Sequence, residues 1–345
     1  MAFKENSGEG RILAAVWLIM ALLAGCMTVG PNYTPPDLRV PETWNTELPG
    51  DVRSAPPDIY TSAQWWSSLN DPMLTSLITR AVDNNLDVRK AQARLREVRA
   101  RWGISRSDRY PTLKTSGSAS LSRTSSETGG SRERKLFETG FDATWELDLF
   151  GGVHRSIEAA EAELEASRED LGDVLVSLEA EVALNYVEVR LFQNRLSIAK
   201  ESLELQEETC QLTEWRCQAG LTSQLDVDQA RSNLEETRSQ IPSLQTGLDQ
   251  ALNRLAVLLG ENPGSLNREL SPQAPIPVTS MEMAIGVPAE VLRRLPTVRR
   301  AERQMAAQTA RVGLAYADLY PRFTLTGSIG LESLSLPDLF SSPGR

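Results

Sequence analysis

Apolar residues recur every seven positions through much of the middle of the chain. The first run extends from Ser156 to about Ala219, and the second follows Gly220 and ends at Gly260. The first run has apolar series at Leu175, Val182, Val189, Leu196 and Leu203 and at Leu171, Leu178, Phe192 and Ala199. This heptad spacing predicts a long antiparallel helical hairpin over about 156–260. At 1.5 Å per residue, its first helix of about 64 residues would be about 95 Å long.

A period of two replaces the helical period on either side of this hairpin, at 113–122, 141–150 and 322–331. The second of these segments is the most regular. Its apolar residues are Phe141, Ala143, Trp145, Leu147 and Leu149, and its polar residues are Asp142, Thr144, Glu146 and Asp148. Ten alternating residues match a tilted transmembrane β-strand. A half-buried strand of a soluble sheet alternates in the same way.

The adjoining helices favour the membrane strand, because no soluble core needs helices of that length. We therefore expect Phe141, Trp145, Leu147 and Leu149 to face lipid. The polar set, Asp142, Thr144, Glu146 and Asp148, is expected to face a lumen. A strand pair alone in lipid would leave backbone groups unpaired at its edges, so this interpretation requires several subunits to close a barrel.

Residues 88–121 and 298–331 are two copies of one helix-to-strand unit. Aligned without a gap at an offset of 210 residues, they agree at twelve of 34 positions, including Gly103/Gly313 and Tyr110/Tyr320. A repeat of this length indicates a structural duplication. The first repeat covers 65–270. The second covers 271–345, with a linker, a helix at about 297–318 and a strand at 322–331, and it lacks the second hairpin that the duplication predicts.

Residues 1–25 have the pattern of an export signal. The apolar stretch from Ile12 to Leu23 is too short to span a bilayer of about 30 Å, and Leu23-Ala24-Gly25-Cys26 resembles a bacterial lipobox. We expect Cys26 to carry a covalent lipid, and Met27 favours sorting to the outer membrane. An ordinary signal peptide and an uncleaved anchor are the alternatives. Residues 26–64 are Pro-rich without periodicity and predict an extended tether.

Composition argues against several classes of function. The net charge of −10 disfavours a nucleic-acid partner. One histidine and three cysteines leave little material for a metal cluster, and no cofactor is expected apart from the lipid. Asp142, Glu146 and Asp148 could suggest a catalytic carboxylate pair. Because they alternate with apolar residues they fit a lumen lining better, and the chain is predicted not to be an enzyme.

Motifs along nearly the whole mature chain resemble the TolC-like outer membrane efflux protein family, in the lipoprotein branch that serves RND-type tripartite pumps. The matching segments, in the family's order, are 26–33 (CMTVGPNY), 65–66 (WW), 71–74 (DPML), 91–95 (AQARL), 141–152 (FDATWELDLFGG), 216–227 (RCQAGLTSQLDV), 252–264 (LNRLAVLLGENPG) and 320–321 (YP). The end at Arg345 departs from the family pattern, and the expectation from the resemblance is a C-terminally truncated member.

The resemblance implies an α+β membrane protein that forms a homotrimer. Each subunit would give four strands to a shared β-barrel, and the helical hairpins would build an α-barrel that extends into the periplasm of a Gram-negative bacterium. The implied function is a passive exit duct in the outer membrane, fed by an inner-membrane RND-type pump through a periplasmic adaptor.

The same resemblance makes the turn of the hairpin the docking tip for the adaptor. Its residues are Arg216, Gly220, Leu221, Thr222 and Ser223. A plain helical connector would use a glycine and a capping residue in the same way. The alternative function for the whole chain is a lipid-anchored periplasmic coiled-coil adaptor or envelope spacer without a pore, in which 113–150 would form a soluble sheet.

Overall fold

The computed structural model describes residues 28–37, 52–54, 64–124, 127, 133–278, 283–285 and 288–341. Cys26, the export signal and most of the predicted tether lie outside the described residues. The helices are α1 (Pro72–Asn84), α2 (Leu86–Ser107), α3 (Gly152–Gln218), α4 (Gln224–Leu258), α5 (Pro288–Arg294) and α6 (Pro296–Ala317). The strands are β1 (Val52–Ser54), β2 (Thr112–Arg123), β3 (Glu133–Leu147), β4 (Met283–Ile285) and β5 (Phe323–Ser333). In these ranges, no helix combines the length and the apolar character needed to cross a bilayer.

The strands form two sheets. β2, β3 and β5 make an antiparallel sheet with β3 in the centre, and β1 pairs with β4 in parallel. β3 differs from the strand predicted at 141–150, because it begins at Glu133 and ends at Leu147. Its pairing with β2 runs from Thr112 opposite Thr144 to Arg123 opposite Glu133, which extends it beyond the alternating segment.

The chain divides into two compact units. The first consists of Met1–Asp37, Leu95–Ser167 and Arg300–Arg345, and its described part contains the three-stranded sheet. The second consists of Leu38–Arg94 and Arg168–Arg299, and it contains the larger apolar core. The core residues that are least exposed come from α1, α3 and α4, from Val88 of α2 and from the segment after α4. They include Leu74, Leu77, Ile78, Val182, Tyr186, Val189, Leu255, Leu259 and Leu266.

A polar network fixes two segments of the second unit to α3. Asp71 caps α1 by accepting from the amides of Met73 and Leu74, and its other oxygen accepts from the hydroxyl of Tyr186 at 2.6 Å. The buried Arg190 donates to the same hydroxyl at 3.2 Å and to the carbonyl oxygen of Pro272 at 2.8 Å. Burial raises the pKa of Tyr186, and its hydrogen bond to the Asp71 carboxylate acts in the same direction. These bonds satisfy polar groups that would otherwise be costly to bury.

The long helices α3 and α4 pack through the heptad residues. Val182 and Val189 of α3 and Leu234 and Leu255 of α4 are buried. Nearer the turn, ion pairs join the helices, with Arg231 2.8 Å from Glu214 and Arg238 2.9 Å from Glu207. Such exposed pairs contribute about 0–1 kcal/mol each, so the apolar seam accounts for most of this packing.

Candidate functional site

The three-stranded sheet has one apolar face and one polar face. Phe141 of β3 lies opposite Thr115 and Ile329, and Trp145 lies opposite Leu325, so the apolar rows continue across strands. Phe141 is 53% exposed and Ile329 is 75% exposed. No residue of these three strands is buried within the described part of the chain. A soluble sheet normally covers its apolar face, and this one does not.

The polar face carries acidic side chains from the central strand. Asp142 accepts from the hydroxyl of Ser116 at 3.4 Å, and Glu138 accepts from that of Ser118 at 3.0 Å. Thr144 and Glu146 alternate with Trp145 on β3, as expected from the sequence. This face is therefore suited to contact with water or with polar solutes.

Both outer edges of the sheet are open in the described ranges. β2 pairs only with β3 on one side, and β5 pairs only with β3 on its own side. An edge strand presents unpaired N–H and C=O groups, which water or another strand has to satisfy. A sheet with an uncovered apolar face and two open edges is suited to pairing with further strands.

The end of β3 corrects two residue assignments made from the sequence. Asp148 and Leu149 were predicted in the strand, facing the lumen and the lipid, but the strand ends at Leu147. Asp148 instead accepts from the amides of Val153 at 3.1 Å and His154 at 2.8 Å, in the first turn of α3. The first amides of a helix have no partners within the helix, so a carboxylate here stabilises the helix start rather than lining a lumen.

The hairpin turn closes α3 with a Schellman motif. The amide of Leu221 donates to the carbonyl oxygen of Arg216 at 2.8 Å, and the amide of Gly220 donates to that of Cys217 at 2.9 Å. Gly220 has φ +73°, which favours glycine, and an added Cβ would meet nothing within 4 Å. Leu221 is 70% exposed. The turn therefore presents an apolar side chain at the end of the hairpin.

The other side of the turn is a capping box around Asp226. Ser223 caps α4 by accepting from the amide of Asp226, and its own amide donates back to the Asp226 carboxylate at 2.9 Å. The hydroxyl of Thr222 donates to the same carboxylate. The hydrogen bond from the hydroxyl of Thr222, which has the largest effect, and that from the hydroxyl of Ser223 lower the pKa of Asp226 from 3.8 to about 2. The sequence interpretation missed Asp226, although the spacing Ser-x-x-Asp is a capping-box signal.

A second apolar stripe runs along α3 on solvent-exposed residues. Its members lie seven or fourteen residues apart and each is more than half exposed. They are Leu184, Ile198, Leu205 and Leu212, with the equally exposed Trp215 close to the turn. The heptads considered from the sequence omitted this series, which a third heptad register in the same helix would have identified. A sustained heptad stripe of this kind is a helix-packing surface.

Comparison with known proteins gives consistent matches. The family model for outer membrane efflux proteins matches residues 77–261. The chain is similar to nodulation protein T of Rhizobium leguminosarum bv. trifolii, with 34% identity over 312 residues, 89% of this chain and 65% of the relative. It is 32% identical to the cation efflux system protein CusC of Escherichia coli (strain K12) over 320 residues, 93% of this chain and 68% of that protein.

A solved structure of an outer-membrane channel is also similar to this chain. The fold is similar to that of the outer-membrane channel OprN, with a TM-score of 0.80 and 36% identity, over 92% of this chain and 71% of that one. The chain thus spans about two thirds of the length of the relatives that it matches.

Proposed function

The chain belongs to the outer membrane efflux protein family, and we propose that it acts as the outer membrane channel of a tripartite efflux pump. Members of this family are efflux channels and not enzymes. The proposed activity is a passive exit duct for small molecules, without a catalytic step. The only covalent group proposed is a lipid on Cys26, which would anchor the protein in the outer membrane of a Gram-negative bacterium.

The observation that carries this proposal is the two-faced sheet with open edges. In lipid every backbone polar group needs a partner in the protein, so a sheet with open edges is stable there only when other strands close it. Alternation of apolar and polar residues is the pattern of a transmembrane barrel wall. We therefore propose that the sheets of three subunits join in one β-barrel, with Phe141, Trp145 and Leu147 towards lipid and Asp142, Thr144 and Glu146 towards the lumen.

The exposed stripe on α3 supports the same assembly. In water, a heptad row that includes Ile198, Leu205 and Leu212 gains by burial against another helix, at about 25 cal/mol per Å² of apolar surface. Side-by-side packing of long hairpins through such rows would build the wall of an α-barrel. We propose that this barrel lies in the periplasm and continues the duct.

The hairpin turn is the proposed docking point for the periplasmic adaptor. Leu221 supplies an exposed apolar contact on a turn whose backbone is fixed by the Schellman motif and the capping box. A Leu221→Asp variant should lower adaptor binding at least tenfold, because docking would then bury an unpaired carboxylate in place of an apolar side chain. Val257→Asp, at a similarly exposed apolar site on α4, is the matched control and should bind normally. Equal loss in both variants would contradict docking at the turn.

The function itself is tested with the protein as its native gene encodes it. In planar bilayers the purified protein should give stable, voltage-insensitive conductance steps. In the native host, deletion of the gene should raise the accumulation of a fluorescent pump substrate, and complementation should reverse this. A Cys26→Ala variant exported with a plain signal peptide provides the opposing test. If alkaline carbonate releases this variant from the membrane without detergent, the result would support the lipid-anchored spacer and refute the channel.

A further inference from the structure

Arg155, in the first turn of α3, binds the segment 28–33, which we call the strap. It is only 2% exposed. Its Nε donates to the carbonyl oxygen of Val29 at 3.2 Å, and its Nη2 donates to that of Gly30 at 3.3 Å. Nη2 also donates to Oδ1 of Asn32 at 2.8 Å, and Nη1 donates to Glu158 at 2.7 Å. Three of these four acceptors belong to the strap, so the buried guanidinium depends on the strap for its partners.

The strap fits a groove shaped by small residues. Gly30 has φ +88°, and a Cβ there would lie 2.6 Å from the α-carbon of Gly313 on α6. Gly151, before α3, has φ +79°, and a Cβ there would lie 2.7 Å from the α-carbon of Thr28. Tyr33 packs against the alanine cluster of α3 and α6 and donates to Glu302 at 3.4 Å. Real Cβ atoms do not approach other atoms so closely, so both glycines are required for the strap to lie where it does.

One end of the strap lies where the sheet meets the helices. The amide of Val29 donates to the carbonyl oxygen of Phe150 at 3.1 Å, three residues after the last residue of β3. The ring of Phe150 stacks on that of Tyr320, just before β5, with centroids 4.7 Å apart. Cys26 precedes Thr28 by two residues, so their α-carbons are separated by no more than about 7 Å.

We infer that Arg155 is a positioning residue that holds the strap so that a lipid on Cys26 enters the membrane beside the sheet. The inference rests on the proposed function, because it concerns how the sheet reaches the membrane. A freely moving tether of the 26 residues from Cys26 to Asp51, up to the start of β1, would let the lipid range over about 28 Å. Confinement to about 7 Å raises its local concentration at the sheet on the order of 100-fold. The strap thus couples lipid insertion to sheet insertion.

The test compares loss of the strap contact with and without the lipid. Gly30→Val displaces the strap and leaves Arg155 in place, and Arg155→Gln removes the bound charge. Arg311→Gln, which removes an arginine from an exposed ion pair with Glu163 on the same unit, is the control. Each substitution is made in the full chain and in a Cys26→Ala chain exported with a plain signal peptide.

Two measurements report the outcome. Hydrogen exchange at the Val29 amide should become at least about tenfold faster in Gly30→Val and in Arg155→Gln, and should not change in Arg311→Gln. Pulse-chase labelling should show that the strap variants enter the outer membrane at least about tenfold more slowly when Cys26 is lipidated. The same strap variants should insert at the rate of their parent in the Cys26→Ala background.

An equal slowing in both backgrounds would overturn the inference, because it would show that the strap only stabilises the fold. Unchanged exchange at Val29 in the strap variants, or unchanged insertion of the lipidated forms, would overturn it as well. These results would leave the channel function intact. Absence of the unsubstituted protein from the outer membrane would refute the proposed function, and the inference with it.

Discussion

A charge placed at Ile329 tests directly whether the apolar face of the sheet meets lipid. Ile329 is the seventh of the eleven residues of β5, is 75% exposed and lies opposite Phe141. Near the bilayer midplane an arginine on the lipid face of a barrel costs about 2–4 kcal/mol. At about 1.4 kcal/mol per factor of ten, Ile329→Arg should lower the folding equilibrium constant about 30- to 700-fold. In water, a residue this exposed would change stability by no more than about 0.5 kcal/mol.

The matched control is Thr326→Arg, on the polar face of the same strand and opposite the uncharged Thr144. Both variants add the same charge at similar depth. The difference between their free energies of unfolding therefore measures the effect of the sheet face and not that of the residue type. Equilibrium unfolding by urea in lipid vesicles gives the two free energies. Free energies that agree within about 0.5 kcal/mol would refute the lipid-facing assignment.

Two further predictions concern the second unit. Tyr186→Phe leaves Asp71 and the buried Arg190 without their shared hydroxyl and should cost about 1–3 kcal/mol in chemical unfolding; no measurable loss would contradict the network. Because the folded pKa of Asp226 is lowered from 3.8 to about 2, its stabilisation of the turn is present above pH 3.8 and lost as the pH falls towards 2. Protection of the Ser223 amide against hydrogen exchange, taken relative to its intrinsic rate at each pH, should fall over that range. Asp226→Asn should abolish this change in protection.

Periodicity predicted the elements well where a repeating pattern was long, and poorly where a distant partner decides the structure. The heptads locate α3 and α4 because the period depends only on local helix geometry. β3 begins at Glu133, eight residues before its alternating segment. The adjacent Leu136 and Phe137 break the period of two, so the alternation does not predict this start. Pairing with β2 nevertheless extends it to Glu133, opposite Arg123. No local pattern contains that information.

The ends of elements follow hydrogen bonding rather than hydrophobicity, which explains why Asp148 was misassigned and Asp226 was overlooked. Asp148 continues the alternation of β3, but its carboxylate accepts from the amides of Val153 and His154, which have no partner within α3. Asp226 was overlooked for the same reason, because it lies on the polar side of a heptad. The strap contact is harder still to predict from the sequence, because Arg155 and Asn32 are 123 residues apart along the chain. Such a contact depends on two glycines fitting a groove, and only the folded chain brings them together.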